Sequence, residues 1–280
     1  MDKNRGHSKT IKLVSNEKIA ETSSKGNQEK WFDNGRWYKL DQFGYEALAE
    51  TFTSILLEHS NIEQDTPFRF TRYRMERLYV HGRERTGCSS ESFLKPGQAI
   101  VTLSHLFRQY LGYSLKEMLE RLSSDKKRIA YLAEETADIT GLKEFPEYLT
   151  LLFEIDSLVL NDDRHLNNIA VLEQDGHFDY CPIFDQGAGL LSNVQFSPMD
   201  IAPSALIREL RARPFNTTFN RQMRTAQDLY GKQLKLPKFT CDEIRAEVES
   251  LLEYYESRDR GLIADRVCET IMQRQKELER

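Results

Sequence analysis

The 280-residue sequence has no long apolar run. Nothing in it approaches the roughly 18 consecutive apolar residues that read as a membrane span, and its first residues, "MDKNRGHSKT", are too polar for a secretory leader. Cysteine is scarce and scattered: Cys88, Cys181, Cys241 and Cys268 include no CxxC pair. That spacing excludes a zinc-ribbon type of site and predicts four reduced thiols without a disulfide framework. Excess positive charge is also missing. The net charge is -5, so the overall balance implies no direct nucleic-acid binding, although "RELRARPF" is locally basic. There is no internal repeat and no low-complexity segment. With 39% hydrophobic and 30% charged residues, the chain reads as a soluble, cytoplasmic globular protein large enough for a substantial core.

What is present falls into two halves. Residues from about 10 to 90 read as a small sheet with one helix. "EKWFDNGRWYKL" places Asn34-Gly35 between aromatic-rich runs, a hairpin signal, and His81-Gly82 separates two further strand-like runs. Between them, "FGYEALAETFTSILLEHS" carries Tyr45, Leu48, Ala49, Phe52, Ile55 and Leu56 at helical spacing. From Pro96-Gly97 onward the chain turns helical: "AIVTLSHLFRQYLG", "SLKEMLERLSSDKKRIAYLAEETADI" and "FPEYLTLLFEIDSLVL" all read as helix. Asp175-Gly176 then joins two strand-like runs, "QGAGLLSNVQFSPMD" reads as loop, and helices follow to the end. The expected class is α+β, a two-lobed arrangement with a small lobe over residues 1–94, a mostly helical one over 95–280, and a ligand cleft between them.

One stretch resists a purely structural explanation. After the apolar helix comes "NDDRHLNN", residues 161–168, crowding groups that must be solvated or paired. Held between a packed helix and a hairpin, it is a loop on a rigid scaffold, where chemistry is commonly placed. The hairpin should bring Asn168 close to Asp185, which ends its return strand. Two oxygen ligands of that kind suit Mg²⁺, whose remaining positions water and phosphate can fill. Asp163 then stands beside the metal pair, where it can orient or deprotonate an attacking hydroxyl. Taken singly, each residue has a plainer reading: Asp163 as a turn former, His165 hydrogen-bonded beneath the loop, Asn161 and Asp162 capping the helix end or solvated. The combination D-R-H-x-x-N arises by chance on the order of once per thousand chains of this length.

At "DRHLNN" and "FDQG" the chain resembles the HipA-type serine/threonine kinases, which share the phosphatidylinositol 3/4-kinase-like branch of the protein-kinase fold. That resemblance implies a kinase using ATP and Mg²⁺, with Asp163 as catalytic base, His165 in a positional role, and Asn168 and Asp185 as metal ligands in a metal loop at 185–187. "SSKGNQEKWF" resembles the family's phosphate loop, with Gly26, Gln28 and Lys30 at its G-x-Q-x-K positions. Ser23 or Ser24 matches the serine that family members autophosphorylate. Lys39 matches the phosphate-contacting lysine and Glu46 the helix glutamate that positions it, with Glu50 one turn later as the rival partner. Phe93 or Leu94, in the stretch before Pro96, would line the adenine pocket or the core. In length the chain is closest to the short, single-module members. No antitoxin-like helix-turn-helix is evident, so any such regulator would be a separate chain. The substrate implied is a protein; a lipid or small molecule is the alternative, and a nucleotide-binding pseudokinase a further one. "RARPFNTTFNRQ", at 211–222, reads as an ordered loop leading into a helix, or as a substrate or regulatory element with Thr217 and Thr218 beside Arg213.

Overall fold

Asn34 and Gly35 both take positive φ, +48° and +76°, the geometry a two-residue hairpin requires, and the same is true of His81-Gly82 and Asp175-Gly176. All three turns predicted from sequence are therefore hairpin turns in the computed structural model, which describes residues 12–13 and 28–279. Strand β1 is Lys12–Leu13, β2 Lys30–Asp33 and β3 Arg36–Leu40. Helices α1 (Glu46–Glu58) and α2 (Ile62–Asp65) follow, then β4 (Tyr73–Val80) and β5 (Arg83–Glu91). These strands form one sheet in the order β1-β4-β5-β3-β2, with only β1 parallel to its neighbour. Helix α1 packs on β4 and β5.

The second half begins with β6 (Ala99–Thr102), α3 (Leu103–Leu111), α4 (Leu115–Arg121), α5 (Asp125–Thr140) and α6 (Phe145–Val159). The sequence reading differs here at one element. "AIVT" is a strand and not the start of a helix, because β6 pairs antiparallel with β7 (Ala170–Gln174), itself paired with β8 (His177–Tyr180). The Thr102 hydroxyl caps α3 and marks the change from strand to helix. Helices α7 (Pro203–Glu209), α8 (Phe219–Tyr230), α9 (Cys241–Leu252) and α10 (Ser257–Leu278) complete the described chain. None of the described helices is long and apolar enough to cross a membrane.

Helix α6 is the centre of the larger half. It is buried along most of its length, as a helix apolar on every face must be, and packs against α5, α8 and α10. Its two charged interior residues are both satisfied. Glu154 accepts hydrogen bonds from Gln227, Gln233 and Leu234, and Asp156 pairs with Arg164. The expectation of four reduced thiols fails at Cys241 and Cys268, which form a disulfide between α9 and α10, while Cys88 and Cys181 are free and buried. The cysteines stand 27 apart in sequence, so no spacing motif signals them. Packing of α9 against α10 brings their Cα atoms to 5.6 Å, inside the range a disulfide spans.

A contact near residues 185–187 depends on glycine. Gly44 bridges to Asn193, and on either side the amide of Tyr45 donates to Ser192 and that of Val194 to Phe43. A Cβ at Gly44 would overlap the Ser192 carbonyl and crowd Val194. Gly44→Ala should therefore destabilise the protein by about 1–3 kcal/mol, the usual cost of overpacking a site with little room to relax. Denaturant titration measures it, and a change indistinguishable from zero would mean the loop moves aside freely.

Candidate active site

Strand β3 delivers Lys39 to the centre of the site, where it is buried. Its ammonium contacts Glu50 of α1 and Asp185 Oδ1, the latter at 2.6 Å, and lies 5.4 Å from the centre of the Tyr73 ring. Burial opposes its charge, but Asp185 and Glu50 outweigh that and hold its pKa well above the ordinary lysine value. For Asp185 burial acts upward, and Lys39, with help from Lys30 and Arg164, holds the carboxyl well below the usual carboxylate range. Glu50 is completely buried, and its second oxygen accepts the Gln186 amide at 2.7 Å. Strand β3, helix α1 and the loop at 185–187 are thus joined through one lysine and one glutamate.

The partner of Lys39 is Glu50, which corrects the expectation of Glu46. Glu46 is the first residue of α1, and its carboxylate turns back to accept the amides of Gln42, Phe43 and Gly44. A carboxylate there is favoured by the unpaired amides and the helix dipole, and so is unavailable to the lysine. Glu50 lies one turn further along, on the face toward β3.

Residues 161–168 are organised by a side chain that the sequence reading passed over. Arg164 is fully buried and pairs with Asp156, both residues only 1% exposed. Its Nη1 donates at 2.9 Å to the carbonyls of both Asn168 and Phe184. One guanidinium nitrogen thereby brings the end of the 161–168 loop against the residue before Asp185. Asn161 is equally buried and is neither a cap nor solvated. Its amide nitrogen shares hydrogen bonds among Asp156, the Asp185 carbonyl and Gln186, while its oxygen accepts the Asp163 amide. The available signal was charge inside an apolar helix: Asp156 needs a buried cation, and Arg164 is the nearest candidate in sequence.

His165 does not sit beneath the loop. It is exposed, its Nδ1 accepts the Asn167 amide, and its Nε2 is 3.9 Å from Asp163 Oδ1. Asp163 is open to solvent. Even so, partial burial pushes its pKa up; nearby His165 acts downward and Asp185 upward. Asn168 donates from Nδ2 to the Asp163 carbonyl, which leaves its Oδ1 without a hydrogen bond among the described residues. That oxygen and the second oxygen of Asp185 form a hard donor set of one neutral amide and one carboxylate kept ionised, which fits Mg²⁺. Among the described residues no group of three or more His, Cys, Asp and Glu side chains could hold a metal, so the pair would share a cation with ligands from elsewhere.

Toward the small lobe, Gln28 donates to the Leu40 carbonyl at 2.8 Å, and Lys30 stands opposite Lys39 in the β2–β3 ladder, close enough to act on Asp185. Gly26, Ser23 and Ser24 lie outside the described residues. Phe93 and Leu94 pack on a small core of Ala170, Leu172 and Cys181 together with Phe184, whose ring centre is 6.1 Å from that of Phe93. A cavity of about 60 Å³ lined by Leu56, Leu158, Phe239 and Ile271 lies elsewhere and shares no residue with this site.

Asp162, next to Asp163, has a pKa raised to about 6 by burial and by the charge of Asp163. A carboxyl whose folded pKa exceeds its unfolded one costs stability when ionised. That cost is absent below 3.8 and complete above about 6. Asp162→Asn should therefore raise the unfolding free energy above that upper pH by about 1 kcal/mol, allowing for solvent screening, and leave it unchanged below the lower one. Equal effects at both ends would contradict the assignment.

No protein-family model matches the chain, and no curated protein does. Among solved structures, the Helicobacter pylori proinflammatory kinase CtkA superposes with a TM-score of 0.58 at 12% identity, over 91% of this chain and 92% of that one. The fold is kinase-like. A further match, HipA in a Shewanella oneidensis toxin–antitoxin complex with HipB and operator DNA, has a TM-score of 0.46 at 13% identity and covers 91% of this chain but 65% of that one. In the kinase-like fold, the five-stranded sheet with α1 forms the small lobe, the α6-centred helices form the large lobe, and Lys39 meets Asp185 where they join.

Proposed function

We propose that this chain is an ATP-dependent serine/threonine protein kinase of the HipA type. In this reading Lys39 and Lys30 hold the nucleotide phosphates, and Glu50 keeps Lys39 aimed at them. Asn168 and Asp185 hold Mg²⁺, which when bound offsets phosphate charge and aligns the γ-phosphoryl group. Asp163 accepts the proton of the attacking Ser or Thr hydroxyl, whose oxygen forms the new bond to phosphorus as the bond to ADP breaks. His165, within 4 Å of Asp163, helps hold that carboxylate ionised. The substrate is another protein or the chain itself at Ser23 or Ser24, and a separate regulatory chain would be its partner.

One observation carries the proposal: a single buried lysine on a strand contacts both a helix carboxylate and the carboxylate of a D-x-G loop. A strand lysine paired with a helix glutamate, beside a metal-holding D-x-G aspartate, is the arrangement kinases use for phosphoryl transfer. The test is incubation with Mg²⁺ and γ-³²P-ATP beside an Asp185→Ala control. Label on the wild-type chain or on added protein, absent from the control, supports the reading. Failure of the wild type to bind ATP would end it.

A further inference from the structure

We propose that Tyr255, in the turn between α9 and α10, is a positioning residue that sets Lys39 against Glu50 from the large lobe. Its consequence for phosphoryl transfer rests on the kinase reading, whereas the tie itself rests on contacts alone. Helix α1 begins without help from its own cap: the side chain of Tyr45, the residue before it, makes no capping hydrogen bond. The amides of Ala47 and Leu48 therefore need acceptors from elsewhere. Asp41 Oδ1 takes the Ala47 amide at 2.6 Å, and the Tyr255 hydroxyl takes the Leu48 amide at 3.3 Å. The same hydroxyl donates to Asp41 Oδ2 at 2.8 Å, which closes a ring of hydrogen bonds across the β3–α1 junction. Asp41 is buried and stands two residues beyond Lys39, while Ala47 lies one helical turn before Glu50. The ring thus joins the two elements that deliver the ion pair.

Asp41, Ala47 and Leu48 belong to the small lobe and Tyr255 to the large one. The turn that carries Tyr255 meets the small lobe at two further points. Arg77 of β4 donates to the Glu253 carbonyl and Thr86 of β5 to the Tyr254 carbonyl, each at 2.8 Å. On the large-lobe side, Arg260 donates to the Tyr255 carbonyl at 3.0 Å, and Arg274 ties α10 to the Ser157 carbonyl of α6 at 2.7 Å. The turn is therefore held from both sides. Its tyrosine hydroxyl passes that position to the strand and the helix that meet at Lys39 and Glu50. A hydroxyl suits the place because it donates to the carboxylate while accepting an amide, which a phenylalanine ring cannot do.

The test compares the wild type with Tyr255→Phe, which keeps the ring and removes only the hydroxyl. Lys39 is read without nucleotide, as its rate of labelling by acetic anhydride relative to exposed Lys126, resolved by mass spectrometry. That rate should rise about fivefold, the order that one hydrogen bond contributes. It should also stay insensitive to low urea, the sign of a local rearrangement and not of global unfolding. With Mg²⁺ and ATP, the KM for ATP should rise by about the same factor and kcat should change little, because Lys39 grips phosphate before and during transfer. A merely structural tyrosine would instead lower kcat with the folded fraction and leave KM unchanged. Asp41→Asn keeps an acceptor for the Ala47 amide but turns a donor toward the Tyr255 hydroxyl. It should act in the same direction, and it carries the test if Tyr255→Phe does not fold. Unchanged Lys39 labelling, labelling that follows global unfolding, or an unchanged KM would overturn the inference. Faster Lys39 labelling in the variant, with no phosphoryl transfer by the wild type, would uphold the tie and count against the kinase reading alone.

Discussion

Asp163→Asn should slow phosphoryl transfer by about 10²- to 10⁴-fold, the range a positioned general base contributes, and leave ATP affinity nearly unchanged. The substitution keeps the shape of the side chain and removes its ability to accept a proton. Asp163 contacts neither Lys39 nor the carboxylate of Asp185, so the nucleotide side of the site keeps its ion pairs. Single-turnover rates with saturating ATP and a protein or peptide acceptor would measure the effect. The wild-type profile should also show an acidic limb shifted upward from the ordinary aspartate value, because burial raises the pKa of Asp163, with activity falling as pH drops through it. A variant within tenfold of wild type would remove Asp163 from the mechanism, and a loss confined to ATP affinity would move it to the nucleotide side.

Arg164→Met should cost about 3–5 kcal/mol of folding stability, since it strands the Asp156 carboxylate in a buried site. Asn161 would remain as a hydrogen-bond donor to that carboxylate but supplies no charge. The double variant Arg164→Met/Asp156→Leu should recover most of the loss, because a buried ion pair replaced by apolar groups of similar size is often neutral in net stability. Activity should not recover with it. The carbonyls of Asn168 and Phe184 lose their shared donor in both variants, and with it the contact that holds Asn168 beside the residue preceding Asp185. Denaturant titration and transfer assays on the three proteins separate these effects. A single variant losing less than about 1 kcal/mol, or a double variant with full activity, would show that the pair does not organise the site.

Much of the site was legible because its residues sit in short, local patterns. The Asp163–Asn168 spacing and Asp185 after a D-G hairpin need only the chain's own direction to be placed near each other. The turns at Asn34-Gly35, His81-Gly82 and Asp175-Gly176 were readable for a similar reason, since positive φ at both residues is a local requirement. The long helix α6 announced itself by unbroken apolarity.

The features that local patterns could not decide are those in which two candidates of like chemistry compete, or in which partners come from distant segments. Glu46 and Glu50 share one face of α1, and only the three amides of the β3–α1 turn, converging on Glu46, leave Glu50 for the lysine. "AIVT" is apolar enough for helix or strand, and β7 alongside it decides. Cys241 and Cys268 become a pair only once α9 packs on α10. Arg164 reads from sequence as one more polar loop residue, yet it is buried, because Asp156 and two backbone carbonyls together supply what its five N–H groups need. The sequence by itself determined where the chain turns and nominated the residues of the proposed chemistry. Tertiary packing determined who pairs with whom, because a buried charge settles on the partner whose other hydrogen bonds leave it free.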